Sequence, residues 1–169
     1  MRLTKELTQY CHEMGIVMEV ECGRIEGGED EVGDTVDLEG LMTSPEQAKE
    51  FVDTDMDWLA SAFGTVHGLH GPKGIQLDFE RLDNTRKTIG SGVHLMLHRT
   101  DGFDEKIHKE CIARRTVKCS TNRVVNQRLT KPWRESQSRM TGVMEEGAKA
   151  MQEEIDILID WLGSAGKAS

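Results

Sequence analysis

Three side chains able to bind a metal ion lie at or just after the C-terminal ends of apolar, strand-like stretches of this sequence. They are Glu21, His67 and His98. In a fold of alternating strands and helices, parallel strands present their C-terminal ends on one side of the sheet, where α/β barrels keep their active sites. One carboxylate and two imidazoles form a ligand set that suits zinc. The spacing therefore predicts a zinc site at these strand ends.

Helix-like and strand-like stretches alternate along the chain, as in consecutive βα units. Strands are predicted at residues 16–22, 58–63, 93–98 and 116–120, and helices at 3–14, 44–52, 78–89, 104–114 and 142–162. Ser44 and Asp78 are typical helix N-cap residues, and the last helix carries apolar residues at helical spacing. This alternation predicts an α/β fold with a parallel sheet and right-handed crossovers. The four strands amount to half of an eight-stranded barrel.

Length, charge and cysteine content limit the classes to which the protein can belong. The 169 residues are predicted to form one domain, 1–169, shorter than the ~250 residues typical of a complete eight-unit barrel. The formal charge of −9 argues against a nucleic-acid-binding surface, which has a basic face. No apolar run approaches the ~20 residues of a membrane span, and the polar N-terminus is not typical of a signal peptide. The cysteines contain no C-x-x-C pair, so we expect a reducing, cytoplasmic environment, with Cys22 and Cys119 as core residues.

Longer motifs surround these residues. They are GIVMEVECGRIEGGED, SPEQAKEFV, ASAFGTVHGLHGPKGIQLDFERL, LMLH and MEEGAKAMQEEIDILIDWLGSAGKA. Together they resemble the C-terminal half of the class II, metal-dependent fructose-bisphosphate aldolases, and the last is most similar to the fungal branch. The resemblance implies a partial TIM (βα)8 barrel, comprising about the last four βα units plus a long C-terminal helix. It also implies a zinc-dependent lyase of glycolysis that cleaves fructose 1,6-bisphosphate to dihydroxyacetone phosphate and glyceraldehyde 3-phosphate.

The resemblance assigns roles to five residues. It implies that His67 and His98 are the two later histidine ligands of the zinc, and that Glu21 serves a neighbouring metal position. Glu29, in an acidic glycine-rich loop, corresponds to the glutamate that moves the proton at the carbon alpha to the carbonyl. Gly68 corresponds to a backbone contact with a substrate phosphate. The chemistry is coherent, because a metal polarises the ketone, a carboxylate on a closing loop exchanges the proton, and glycine admits backbone N–H groups to a phosphate.

Two phosphate-binding segments depart from the family pattern. Where the family has G-G-S-G after its seventh-strand histidine, this chain has Arg99-Thr100-Asp101-Gly102, and the aspartate would repel phosphate. After the eighth strand, Ser120-Thr121-Asn122-Arg123 replaces N-x-[DN]-T. Arg99 and Arg123 are predicted to bind phosphate through their side chains in place of the lost backbone contacts. The family's first four βα units, with its first zinc histidine and its hydroxyl-side aspartate, have no counterpart in this chain.

The remaining charged side chains are predicted to be structural. Glu19 shares a strand face with Glu21, and its cationic partner is not identified. His94 shares a face with His98 and is predicted to pack in the core. The other histidines are predicted to face solvent, and they are His12, His70 and His108. The basic cluster is predicted to be helix-end and surface charge, apart from the phosphate role predicted for Arg123, and it comprises Arg114, Arg115, Lys118 and Arg123.

Three functions are compatible with this sequence. The first is a metal-dependent aldehyde-lyase acting on a phosphorylated ketose. The second is a non-catalytic aldolase-like remnant, or a binding or assembly module. The third is an aldolase for another ketose, with or without phosphate. Because half a barrel exposes two sheet edges, we expect a homo-oligomer or a partner that covers the open side, unless the chain is a remnant or an incomplete gene product.

Overall fold

The structure is a computed structural model, and it describes residues 1–22, 40, 42–65 and 74–168. Within these ranges the helices are α1 Arg2–Glu13, α2 Pro45–Val52, α3 Phe79–Ile89, α4 Glu105–Ala113, α5 Arg123–Glu135 and α6 Met140–Trp161. The strands are β1 Glu19–Cys22, β2 Trp58–Ser61, β3 His94–Leu97 and β4 Thr116–Cys119. Every predicted strand and helix is present, with ends that differ by up to three residues.

The described strands form one parallel sheet in the order β1-β2-β3-β4. Helices connect consecutive strands, so each strand lies beside the next one along the chain, as right-handed βα units require. The predicted α/β fold is therefore confirmed. The register is regular between β1 and β2, where Glu21 is aligned with Ala60, and it is irregular between β3 and β4.

Three helices begin at the caps that their sequences favour. The Ser44 hydroxyl accepts a hydrogen bond from the backbone N–H of Gln47 at 3.2 Å, and the Gln47 side chain accepts one from the N–H of Ser44 at 2.9 Å. This reciprocal capping box satisfies backbone donors that the first helical turn leaves unpaired. Asp78 and Asp104 cap α3 and α4 without the reciprocal bond, each accepting one backbone N–H with a carboxylate oxygen. The predicted helix starts at Ser44 and Asp78 are confirmed.

The apolar core lies on the face of the sheet that packs against the helices. Its buried residues include Val20, Cys22, Leu59, Phe63, Leu82, Ile89, Val93, Leu95, Leu97 and Cys111. Alternate strand residues point to opposite faces, so the other face carries Glu19, Glu21, Trp58, Ala60, His94 and Met96. Cys22 is buried as predicted, whereas Cys119 is half-buried and packs against the edge of the core.

Two histidine predictions are wrong, for different reasons. His108 was expected in solvent, but its imidazole is buried in α4 between the rings of Phe103 and Trp161, at centroid distances of 5.8 Å from each. Phe103 precedes that helix and Trp161 ends the last one, so this contact depends on tertiary packing. His94 was expected in the core, but it is exposed because it begins β3 at the opposite end of the sheet from His98.

Helix α5 was not predicted, and it packs closely against α6. The backbone carbonyl of Leu129 approaches Gly147 so closely that a Cβ at Gly147 would lie 2.5 Å from the carbonyl oxygen. The Arg128 side chain reaches the buried carboxylate of Glu154 at 2.7 Å. A glycine contact and a charge pair therefore join the two helices. None of the helices in the described ranges is both long and apolar enough to cross a membrane.

Candidate metal and substrate site

Charged side chains from three strands meet on the sheet face opposite the apolar core. Glu19 and Glu21 lie on β1, His98 follows the last residue of β3, and Lys118 lies on β4. Strand β2 separates β1 from β3, and the residue of β2 aligned with Glu21 is Ala60. Because alanine has a short side chain, Glu21 and His98 can meet across this strand. The sheet thus brings together side chains that are 77 and 79 residues apart.

An irregularity in β4 places Lys118 on the same face. Leu95 is aligned with Thr116, but the next residue of β3, Met96, is aligned with Lys118 rather than Val117. The extra residue in β4 reverses the side-chain alternation at this point, as a β-bulge does. Thr116 therefore faces the core, while Lys118 faces Glu19. The Lys118 ammonium donates to Glu19 Oε2 at 2.7 Å and also lies over the Trp58 ring, 5.3 Å from its centroid.

His98 lies between two carboxylates. Its Nε2 is 2.6 Å from Glu19 Oε1, and its Nδ1 is 3.3 Å from Glu21 Oε2. The hydrogen bond to Glu21 is the main reason that the pKa of His98 is raised; burial opposes the shift and Glu19 adds to it. Although burial raises the pKa of Glu19, hydrogen bonds from Lys118 and His98 outweigh it, so the net pKa is lowered. The contacts within the cluster therefore raise the pKa of His98 and lower that of Glu19.

Arg99 completes this charged cluster. Its Nη2 donates to Glu21 Oε1, and its side chain is only 4% exposed. The backbone of Arg99 has φ +59°, a left-handed conformation that a bulky residue rarely adopts. The cluster of Glu19, Glu21, His98, Arg99 and Lys118 thus contains two carboxylates, each paired with one basic side chain.

The donor chemistry of this cluster suits the zinc ion that the sequence predicted, because imidazole nitrogen and carboxylate oxygen are both zinc ligands. In the present arrangement, however, both nitrogens of His98 face carboxylates, and Glu21 faces Arg99. Among the described residues, no group of three or more His, Cys, Asp or Glu side chains is arranged to hold a metal ion. The residues fit zinc in type, and Glu21 and His98 would have to exchange their present partners for it.

A pocket adjoins the charged cluster at the C-terminal ends of β3 and β4. It has a volume of about 150 Å³ and is lined by His98, Arg99, Thr100, Asp101, Ser120, Thr121, Asn122 and Arg123. The Thr100 hydroxyl donates to the Ser120 carbonyl at 3.1 Å and joins the two lining segments. Arg123 is the first residue of α5, so the positive end of that helix dipole faces the pocket. Pockets for whole ligands usually enclose ~300–1,000 Å³. The volume of this pocket is therefore large enough for only one end of a small ligand.

The predicted site residues fall into two groups. The structure places Glu21, His98 and Arg99 in contact, and it places Arg123 on the pocket that His98 and Arg99 also line. The other predicted residues lie outside the described ranges, and they are Glu29, His67 and Gly68.

The chain that leads to His67 is described as far as Thr65, which is buried. Just before it, Gly64 has φ +106°, and a Cβ there would lie 2.0 Å from the Gln76 carbonyl oxygen.

Two members of the cluster were not recognised from the sequence. Glu19 was expected on the face of Glu21, but its partners His98 and Lys118 were not identified. Lys118 was assigned to surface charge; it is 41% exposed and paired with Glu19. The sequence did offer one signal, because Lys118 lies within a predicted strand, and an inward-facing carboxylate such as Glu19 requires a cationic partner. The face of the sheet on which Lys118 lies could not be predicted from the regular alternation of strand side chains, because the β-bulge in β4 interrupts that alternation.

Comparison with known proteins identifies the relatives of this fold and site. The family model described as "Fructose-bisphosphate aldolase class-II" matches residues 1–167. A curated Coccidioides immitis (strain RS) protein named "Putative fructose-bisphosphate aldolase" is 48% identical over 170 residues, which cover 99% of this chain and 56% of that protein. A crystal structure of a Coccidioides immitis protein described in the same way has a TM-score of 0.88 and 48% identity, covering 98% of this chain and 58% of the other.

More distant structures share the fold. The YdjI aldolase from Escherichia coli K12 has a TM-score of 0.80 and 30% identity, and the match covers 99% of this chain and 56% of that one. The fructose-bisphosphate aldolase from Campylobacter jejuni has a TM-score of 0.76 at 18% identity, with coverage of 99% and 57%. These neighbours have the TIM-barrel fold, as predicted from the sequence, and the chain spans about half the length of the relatives that it matches.

Proposed function

Because the chain belongs to the class II fructose-bisphosphate aldolase family, we propose that it supplies metal-binding and substrate-binding residues of a ketose-phosphate aldolase. The observation that carries this proposal is the meeting of Glu21, His98 and Arg99 at the C-terminal ends of parallel strands, beside a pocket that Arg123 lines. This is the location of active sites in TIM barrels. The proposed reaction is cleavage of a carbon–carbon bond in a phosphorylated ketose, with fructose 1,6-bisphosphate as the first candidate.

In this proposal, His67, His98 and Glu21 hold a zinc ion. Zinc, when bound, polarises the substrate carbonyl as a Lewis acid. Glu29 delivers a proton to the carbon alpha to that carbonyl after the carbon–carbon bond has broken, and takes it back in the condensation direction. His98 must present one nitrogen as a neutral ligand, so its present contacts with Glu19 and Glu21 compete with metal binding.

Phosphate recognition in this proposal falls to Arg123, Gly68 and the positive end of α5. Arg123 lines the pocket and begins α5, and both its guanidinium and the N-terminus of a helix attract an anion. Arg99 also lines the pocket, so its predicted contact with phosphate stays part of this proposal, and its side chain forms an ion pair with Glu21 as well. Asp101 also lines the pocket and repels a dianion.

The Asp101 carboxylate supports a second candidate function. A ketose whose far end carries a hydroxyl group in place of a phosphate would donate a hydrogen bond to the Asp101 carboxylate rather than be repelled by it. The pocket volume of about 150 Å³ admits such a group. The second candidate is therefore an aldolase of the same mechanism that acts on a monophosphorylated or unphosphorylated ketose.

The family also implies a setting for this activity. We propose a cytoplasmic protein of glycolysis that assembles with a second copy or with another protein across the exposed sheet edges. For the 169-residue chain acting alone, we expect cleavage of fructose 1,6-bisphosphate to be at least hundreds-fold slower than by a competent aldolase. A missing acid or base group typically costs ~10²–10⁴ in rate, and lost positioning of the substrate adds to it.

A coupled cleavage assay tests the proposal. The purified protein is supplied with zinc and offered fructose 1,6-bisphosphate, fructose 1-phosphate and fructose in turn. We expect measurable cleavage of at least one ketose, loss of it with a chelator, and a further decrease of about 10²-fold in Glu29→Gln, because that variant cannot move the proton. Glu31→Gln is the matched control, since it removes a charge from the same acidic stretch. Cleavage that is equal in Glu29→Gln and Glu31→Gln would contradict the assigned role, and no cleavage of any ketose would favour the non-catalytic reading.

A further inference from the structure

We propose that Arg99 competes with the metal ion for Glu21 and thereby sets the metal affinity of the site, an inference that rests on the proposed metal-binding function. The guanidinium of Arg99 contacts Glu21 Oε1, one of the two oxygens through which Glu21 could bind a metal ion. Metal binding through Glu21 then requires that Arg99 release this carboxylate. Arg99 becomes a residue that tunes metal occupancy, in addition to any role near the substrate.

The first support is the way in which both oxygens of Glu21 are engaged. Oε1 accepts a hydrogen bond from Arg99 Nη2, and Oε2 lies 3.3 Å from His98 Nδ1. A carboxylate oxygen that ligates zinc needs a direct approach of ~2.0–2.2 Å. The guanidinium and the metal therefore cannot occupy the same side of Glu21 Oε1 together.

The second support is charge balance within the cluster. Glu19 and Glu21 carry two negative charges, and Lys118 and Arg99 carry two positive charges. The Lys118 ammonium lies 2.7 Å from Glu19 Oε2, and the Arg99 guanidinium hydrogen-bonds to Glu21 Oε1. The formal charges of these four side chains therefore sum to zero. A divalent ion placed among these groups would meet a buried guanidinium, and the repulsion between them is poorly screened away from water.

The third support separates Arg99 from Lys118. Lys118 has a side chain that is 41% exposed, so its ammonium can turn into water when a metal arrives. Arg99 is 4% exposed and cannot lose its proton at any ordinary pH. Its left-handed backbone, with φ +59°, holds the side chain in this position although the conformation favours glycine. Arg99 is therefore the cation that resists displacement.

Zinc titration calorimetry on the purified protein tests this inference. We expect Arg99→Gln and Arg99→Gly to bind zinc at least tenfold more tightly than the parent protein, because Glu21 is released in both. The glycine variant also suits the left-handed backbone, so it remains informative if the glutamine variant is unstable. Arg115→Gln is the matched control, since Arg115 is exposed and has φ +65°, and its zinc affinity should stay within twofold of the parent.

A double variant and a spectroscopic measurement complete the test. Glu21→Gln added to Arg99→Gly should remove the gain, because the gain acts through Glu21. In the parent protein labelled with ¹⁵N, the Arg99 guanidinium signal should move at saturating zinc. Zinc affinity that is unchanged or weaker in both Arg99 variants, or an Arg99 signal that does not move, would overturn the inference. Tighter zinc binding without any cleavage would contradict the proposed activity alone, whereas cleavage with unaltered zinc affinity in the variants would contradict this inference alone.

Discussion

Asp57 shows how one carboxylate can connect separate parts of the chain. It lies just before β2, and its Oδ2 accepts a hydrogen bond from the backbone N–H of Met18 at 2.7 Å. The same oxygen lies 2.9 Å from His12 Nε2 on α1. Burial raises the pKa of Asp57, but the Met18 N–H and His12 outweigh it, and the pKa is lowered from the ordinary value of 3.8. The contacts of this residue therefore stabilise the folded state more strongly when its carboxyl group is ionised.

This direction predicts how stability changes with pH. A carboxyl group whose pKa is lower when folded contributes stability above its unfolded pKa, and the contribution is lost as the pH falls through the folded value. Asp57→Asn should cost about 0.5–1.5 kcal/mol in free energy of unfolding at pH 7, the range for one lost hydrogen bond, and this difference should shrink below pH ~4. Urea unfolding between pH 3 and 7 measures it.

Asp55→Asn is the control for this experiment. Asp55 is 91% exposed on its side chain and has φ +64°, a conformation that asparagine also tolerates. Its substitution should leave the free energy of unfolding nearly unchanged across the same pH range. If the two variants lose equal stability, or if the loss in Asp57→Asn grows as the pH falls, the assigned role of Asp57 is wrong.

Among the elements, α5 and α6 depend on a contact that the sequence did not reveal. The stretch 123–135 contains Pro132 and a polar majority, which disfavour a helix, although Val125, Leu129 and Trp133 recur at helical spacing. It is helical because its neighbour α6 covers it, and Gly147 allows the Leu129 carbonyl to approach. Tertiary packing commonly overrides weak local propensity in this way.

Gly147→Ala should therefore destabilise the protein, although alanine is the better helix former by ~1 kcal/mol. The added Cβ would lie 2.5 Å from the Leu129 carbonyl oxygen, which is backbone and cannot turn aside. Forced shifts of this kind typically cost ~1–3 kcal/mol. Gly142→Ala in the same helix is the matched control, because its Cβ would meet only the Ser138 side chain, at 3.0 Å. Thermal unfolding of both variants gives the comparison, and a more stable Gly147→Ala would show that the helices are not in close contact.

The difference between local sequence patterns and tertiary contacts explains how much of the molecule could be predicted. Strands 58–63 and 93–98 and the caps at Ser44 and Asp78 follow from local patterns, and all are present. The meeting of Glu21 with His98 also follows, once parallel strands are placed side by side. The Lys118 contact could not be foreseen, because it depends on one extra residue in β4.

At the scale of the whole molecule, the sheet has two unlike faces and two edges. One face packs against helices, whereas the other carries the charged cluster. Strands β1 and β4 pair on one side only within the described part of the chain. Along α1 and its C-cap residue, four apolar side chains at helical spacing are exposed, and they are Leu3, Leu7, Tyr10 and Met14. Relatives about twice as long have further chain with which to cover such surfaces.

We therefore expect the 169-residue chain to self-associate through α1 when it is purified alone. Exposed apolar stripes favour contact between copies, because each contact removes apolar surface from water. In sedimentation velocity, the chain should form dimers or larger species at micromolar concentration. Leu3→Lys combined with Met14→Lys should weaken the association at least tenfold, since each contact would then bury a charge. Gln9→Lys, on the opposite side of α1, adds the same charge outside the stripe and should leave the association within twofold of the parent. A parent chain that sediments as a sharp monomer at every concentration would mean that this surface is stable in water.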